Sequence, residues 1–167
     1  MNKKLLNITN KIRERSADSR NKYLELMNDM QQNNPPRHHL SCGNLAHAIA
    51  GCSHDDKTTL KNEKTINLGI INSYNDMLSA HKTYENYPEI IRNEANFYNA
   101  TAQVAAGVPA MCDGVTQGQP GMELSLFSRD IIALSTTIGL SHNMFDGAMF
   151  LGICDKIVPG MLIGALK

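Results

Sequence analysis

The residues best suited to chemistry sit close together near the end of the sequence, where the apolar run FLGI delivers Cys154, Asp155 and Lys156 in succession ahead of Pro159. A thiol, a carboxylate and an amine at one point combine a soft ligand, a hard ligand and a cation. Pro159 suits the first turn of a helix, so the spacing predicts Cys154 near the positive end of that helix. That field, with Lys156 beside it, is expected to lower the thiol pKa and favour the thiolate, the form that binds metal. Asp113, in CDG, adds a second hard oxygen. Asp113 and Asp155 suit Mg²⁺ and a thiolate suits an iron–sulfur cluster, so the reading is of two metal centres in one crevice. A plainer alternative stays open: a cysteine closing an apolar strand is a small buried hydrophobe, and an aspartate after a strand caps a helix.

Other candidates are weaker on pattern. DGVTQGQPGM is glycine-rich but matches neither the P-loop nor the dinucleotide spacing, and its glycines serve equally to make turns. Cys42, His47, Cys52 and His54 form C-x4-H-x4-C-x-H, wider than the compact pairs of structural zinc modules, with a helical pattern around His47; a zinc-binding module is kept only as an alternative. His81 and His142 have loop-like neighbours and are able to move protons or bind an anion, although an ordinary hydrogen-bonded histidine fits as well.

Positioning these groups requires a scaffold, and 167 residues are enough for one domain with a continuous core. Acidic and basic residues number 16 each, so no excess positive charge points to nucleic acid or to an anionic membrane surface. The basic N-terminus lacks the apolar stretch of a signal peptide, and no segment reaches the length of a membrane span. The chain reads as cytoplasmic, with its four cysteines reduced.

Leu5, Ile8, Ile12, Tyr23, Leu26 and Met30 recur at helical intervals, predicting a helical arm of one or two amphipathic helices over 1–34, ended by Pro35 and Pro36. A connecting segment over 35–65 holds a short helix near Leu45 to Ala50 and then a polar connection. From 66 the expectation is α/β: INLGIINSY as a strand, YPEIIRNEANFYNATAQVAAGV with helical spacing, a brief apolar piece at VPAM, a glycine-rich loop from Asp113 to Gly121, and a helix from about Met122. AMFLGI opens a third unit. Such alternation implies parallel βαβ units whose ligand crevice lies at the carboxyl ends of the strands, edged by Asn75/Asp76, Cys112/Asp113 and Cys154/Asp155/Lys156.

SCGNLAHA, INSYNDMLSAHKTYENYPEIIR, GVPAMCDGVTQGQPGMELSLFSRD and GLSHNMFDGAMFLGICDKIVPGM together resemble the N-terminal part of the dihydroxy-acid dehydratase/phosphogluconate dehydratase family, along the whole chain. The resemblance implies an iron–sulfur hydro-lyase that dehydrates 6-phosphogluconate to 2-dehydro-3-deoxy-6-phosphogluconate in the Entner–Doudoroff pathway. Cys154 matches a ligand of the cluster, commonly [4Fe–4S]. Asp113, Asp155 and Lys156, a lysine that can be carboxylated, match the site of Mg²⁺ or another divalent cation. In that chemistry the exposed iron acts on the leaving hydroxyl and Mg²⁺ stabilises the enolate formed after a base removes the C2 proton. Some sugar-acid dehydratases of the wider family carry a cysteine ligand in the loop where this chain has Asn75, Asp76 and Ser79, which favours the phosphogluconate branch; Asn75, Asp76, Ser79 and His81 are the candidate substrate contacts.

The likeness covers about the first quarter of such an enzyme. The second cluster cysteine and the serine base are expected outside this chain, which alone is expected to lack dehydratase activity. A sheet of three strands would leave an edge unpaired and the final helix without packing partners, predicting aggregation or association with a second polypeptide that supplies the C-terminal part; the resemblance also implies a homodimer. A non-catalytic remnant acting as an interaction subunit is the other reading.

Overall fold

The computed structural model describes residues 2–33, 37–62 and 64–167. It divides into two compact units, Met1–Pro35 and Pro36–Lys167. The boundary expected at Pro35 and Pro36 lies outside the described residues. The first unit is one continuous helix, α1 (Lys3–Asn33), rather than two. Its apolar stripe of Leu5, Ile8, Ile12, Leu26 and Met30 is exposed.

In the second unit, α2 (Cys42–Ile49) begins at Ser41, whose hydroxyl accepts from the backbone N–H of Asn44. The polar stretch after it is a second helix, α3 (His54–Leu60), capped in the same way by Ser53. Ile49 and Leu60 pack with Met144 in a small core that also receives Leu45 and Phe145. Arg37 is buried and donates to the Thr65 carbonyl at 2.7 Å and to Asp146 at 3.0 Å, which ties this region to the loop ahead of the last strand.

The sheet follows as β1 (Asn67–Asn72), then α4 (Ser79–Lys82), α5 (Tyr87–Phe97) and β2 (Thr101–Gly107). A single turn α6 (Asp113–Thr116), the long helix α7 (Ser125–Leu140), β3 (Gly147–Leu151) and α8 (Ile157–Ala165) complete it. The strands are all parallel in the order β2-β1-β3, the expected α/β class. β1 is central and covered on both faces, which explains its unbroken apolar run. Ile71 points into a core with Ile132 of α7 and Ile157 and Met161 of α8, whereas Ile70 points the other way, to Ala95 of α5 and Leu151.

Two local expectations are corrected. The second strand is not at VPAM but earlier, at TAQVAAG, inside the stretch read as helical. Alanine and glutamine favour helix by propensity, but α5 is stopped by Asn99, whose φ of 54° lets Ala100 and Asn99 donate back to the Ala95 and Asn96 carbonyls. The chain then emerges extended and pairs with β1. The glycine-rich loop is likewise more ordered than read: Asp113 starts α6, and Pro120–Leu124 forms a 3-10 turn that leads into α7.

Candidate functional site

The carboxyl ends of the three strands converge as the topology requires. After β2, Asp113 stands at the start of α6 and accepts a hydrogen bond from Ser125 Oγ, the first residue of α7, at 2.9 Å. After β3, Lys156 lies immediately before α8, with its side chain only 10% exposed. Its ammonium donates to both Asp113 Oδ2 and Asp155 Oδ2, the latter at 3.0 Å. A nearly buried cation held between two carboxylates keeps its proton: the Asp113 hydrogen bond, then that of Asp155, pushes the Lys156 pKa up, while Lys156 and then Ser125 hold the Asp113 carboxyl below the usual range. Two hard oxygens thus meet at one point, the donor chemistry of a Mg²⁺ site, although unmodified Lys156 stands between them as a competing cation.

Cys154 lies three residues beyond β3 with its backbone in the left-handed region, φ 80°. A side chain there costs about 1–2 kcal/mol. Burial pushes the thiol up, and the nearby Cys112, Asp155 and Asp113 add to it; Lys156 only partly opposes them. The expected lowering is therefore corrected, because desolvation of the thiolate, with the neighbouring carboxylates, outweighs Lys156.

The loop after β1 brings its own groups. His81, on α4, is fully buried; its Nε2 lies 3.6 Å from Cys154 Sγ and its Nδ1 2.9 Å from the Ser73 carbonyl oxygen. Ser73 Oγ in turn donates to the Leu151 carbonyl at 2.7 Å.

The sequence profile described as "Dihydroxy-acid/6-phosphogluconate dehydratase N-terminal" matches residues 66–167. The chain belongs to this dehydratase family. Among curated relatives, phosphogluconate dehydratase of Escherichia coli (strain K12) is 59% identical over all of this chain, which covers 28% of that relative. That of Pseudomonas aeruginosa is 53% identical over the same span and share. Dihydroxy-acid dehydratase of Akkermansia muciniphila is 38% identical over 60% of this chain and 18% of its own length. The chain therefore spans little more than a quarter of the length of these two phosphogluconate dehydratases.

For a member of this dehydratase family, the fold brings together four of the sequence-derived residues, Cys154, Asp113, Asp155 and Lys156, with His81 against Cys154. The rest of the β1 loop is committed otherwise. Asn75 Oδ1 accepts from the backbone N–H groups of Met77 and Leu78, shaping the turn into α4, and Asp76 pairs with Lys82 and Tyr74. Ser79 opens α4. His142 closes on the Gly139 carbonyl at 2.9 Å, an ordinary structural bond. Among the described residues no group of three or more His, Cys, Asp or Glu side chains is arranged to hold a metal, and Cys52 accepts instead from Gln103, so the zinc pattern of Cys42, His47, Cys52 and His54 is not assembled. Two participants were missed, Ser73 and Ser125. Ser73 had a signal, as the residue directly after the β1 carboxyl end; Ser125 had none, because only folding brings the α7 start to Asp113.

Proposed function

We propose that this chain forms the cluster- and cation-binding part of the active site of a 6-phosphogluconate dehydratase, an iron–sulfur hydro-lyase of the Entner–Doudoroff pathway acting in the cytoplasm. The observation that carries the reading is the convergence of Asp113, Asp155, Lys156 and Cys154 from the loops after β2 and β3 on one edge of the sheet. The substrate choice is supported by the 59% identity to a phosphogluconate dehydratase against 38% to a dihydroxy-acid dehydratase.

Cys154 would hold a cluster, [4Fe–4S] by the family pattern, and Asp113 with Asp155 would hold Mg²⁺ or another divalent cation, joined by Lys156 as a carbamate if its amine gives up its proton and takes up CO₂. When bound, these groups supply Lewis acidity at the leaving hydroxyl and at the developing enolate. The chain's own contribution is positional. Ser125 fixes the Asp113 carboxylate, and Lys156 neutralises both aspartates until the cation arrives. Asp76 and Lys82 form an exposed rim suited to the polar substrate, with Asn75 shaping that rim and Ser79 and His81 on α4 behind it. The serine base for the C2 proton would come from outside these residues, on a polypeptide stretch that supplies the C-terminal part.

The test is a chimera in which these 167 residues replace the matching segment of the Escherichia coli relative, reconstituted anaerobically with iron, sulfide and Mg²⁺. Dehydration of 6-phosphogluconate is expected, falling at least about 100-fold with Asp113→Asn, and none from the chain alone. A folded, iron-loaded chimera that leaves 6-phosphogluconate untouched refutes the proposal.

A further inference from the structure

We infer that α1 is a self-association arm: it packs against α1 of a second copy of this chain, antiparallel, about a two-fold axis near Ala17 and Asp18. The inference is independent of the dehydratase chemistry and concerns the unit that chemistry leaves unused.

α1 needs a partner to persist. It runs for 31 residues, about 46 Å at 1.5 Å per residue, and none of its described residues is buried. A helix in water draws most of its stability from packing an apolar face, yet Leu5 and Ile12 stand 56% and 50% exposed. Its charges also oppose its own dipole. Lys3 and Lys4 open the helix at the positive end, where no acidic residue stands, and the last turn holds no basic residue.

The apolar stripe reads nearly the same in both directions, which singles out a second copy as the occupant. Turned end for end, α1 sets Leu5 against Met30, Ile8 against Leu26, Ile12 against Tyr23 and Ser16 against Ser19 of the second copy. Each contact then occurs twice, as a two-fold interface requires. The serines at the centre are small and ask nothing of the partner: Ser16 Oγ donates to the Ile12 carbonyl at 2.8 Å, and Ser19 Oγ to the Ser16 carbonyl at 3.0 Å. They let the helices approach at mid-length while the larger apolar pairs close the seam on either side.

Charge selects the direction. Residues 3–17 carry five basic side chains and one acidic, and residues 18–33 carry two basic and three acidic, so the halves are net +4 and −1. An antiparallel pair lays each basic half along the acidic half of the other copy and brings Lys3 and Lys4 to the negative end of the other helix. A parallel pair would lay the two basic halves against each other.

The experiment is sedimentation equilibrium of the full chain, with disulfide trapping as the second measurement. The unsubstituted chain is expected to be a dimer, and Ile8→Asp with Ile12→Asp to weaken it at least about 100-fold. Val158→Glu with Leu162→Glu, which blunts the exposed face of α8, is expected to leave the dimer intact. Oxidation of an equimolar mixture of Leu5→Cys and Met30→Cys chains is expected to join position 5 of one chain to position 30 of the other, with peptide mass spectrometry as the readout. A monomeric unsubstituted chain, a dimer that survives Ile8→Asp with Ile12→Asp, a dimer lost through the α8 changes, or a disulfide joining position 5 to position 5 each overturns the inference.

Discussion

At Cys154 the backbone and the side chain make opposite demands. Its φ of 80° suits glycine, yet the proposed site needs the thiol. Comparing two variants that both lack sulfur isolates the backbone term: Cys154→Gly is expected to be more stable than Cys154→Ala by about 1 kcal/mol in urea unfolding, and equal stabilities would show that the left-handed turn carries no strain. Asp76 offers a second test at this scale. The Lys82 ammonium, and then the Tyr74 hydroxyl, hold its carboxyl below the usual range. A carboxyl depressed by folding adds stability that is complete above the unfolded value of about 4 and is lost as pH falls through the folded value. In a carbon-detected NMR titration, Lys82→Met is expected to return the Asp76 midpoint upward to the ordinary range, whereas an unmoved midpoint would assign the depression to another cause. Which residues gather at the site was legible, because residues just past the ends of parallel strands must face the crevice. The direction of the Cys154 pKa was not, because it depends on how much water folding removes, and Ser125 was not, because nothing local marks it.

Between elements, the tightest approach is α8 on α7. A Cβ on Gly160 would lie 2.8 Å from Ile132 Cγ2, and one on Gly164 would lie 2.6 Å from the Ala133 carbonyl oxygen. Glycines four apart on one helix face let the backbones touch, and α8 leads directly from Lys156, so this packing sets where the ammonium stands. Gly164→Ala is expected to cost about 1–3 kcal/mol, against less than about 0.5 kcal/mol for Gly51→Ala, where a Cβ meets nothing within 4 Å. Thermal unfolding followed by circular dichroism decides it, and equal midpoints would refute the close-packing argument. The sequence pattern revealed β1 and β3 because both are short apolar runs bounded by turn residues. It misplaced β2 because TAQVAAG carries helix-favouring alanines, and the strand state comes from pairing with β1, a partner 34 residues away in the first register pair.

Across the whole molecule, apolar surface is left uncovered. Val158, Leu162, Ile163 and Leu166 on and just beyond α8 are exposed, as are Met149 and Phe150 on β3, and among the described residues both outer strands of the sheet have an unpaired edge. The native chain is expected to enhance the fluorescence of a hydrophobic dye, and Val158→Glu with Leu162→Glu to reduce that signal by about half without lowering the unfolding midpoint; a native chain that leaves the dye dark would mean the face is covered in solution. The central position of β1 sets the order of events during synthesis. Its partners lie on both sides of it but both come later in the chain, and the hydrogen bond from Asn67 to Asp146 spans 79 residues. Long-range parallel pairing is slow to form because loop closure must precede any gain from contact. His81 leaves the ribosome 73 residues before Cys154, so water serves its ring until β3 docks, and the buried contact between the two side chains forms only as the sheet closes.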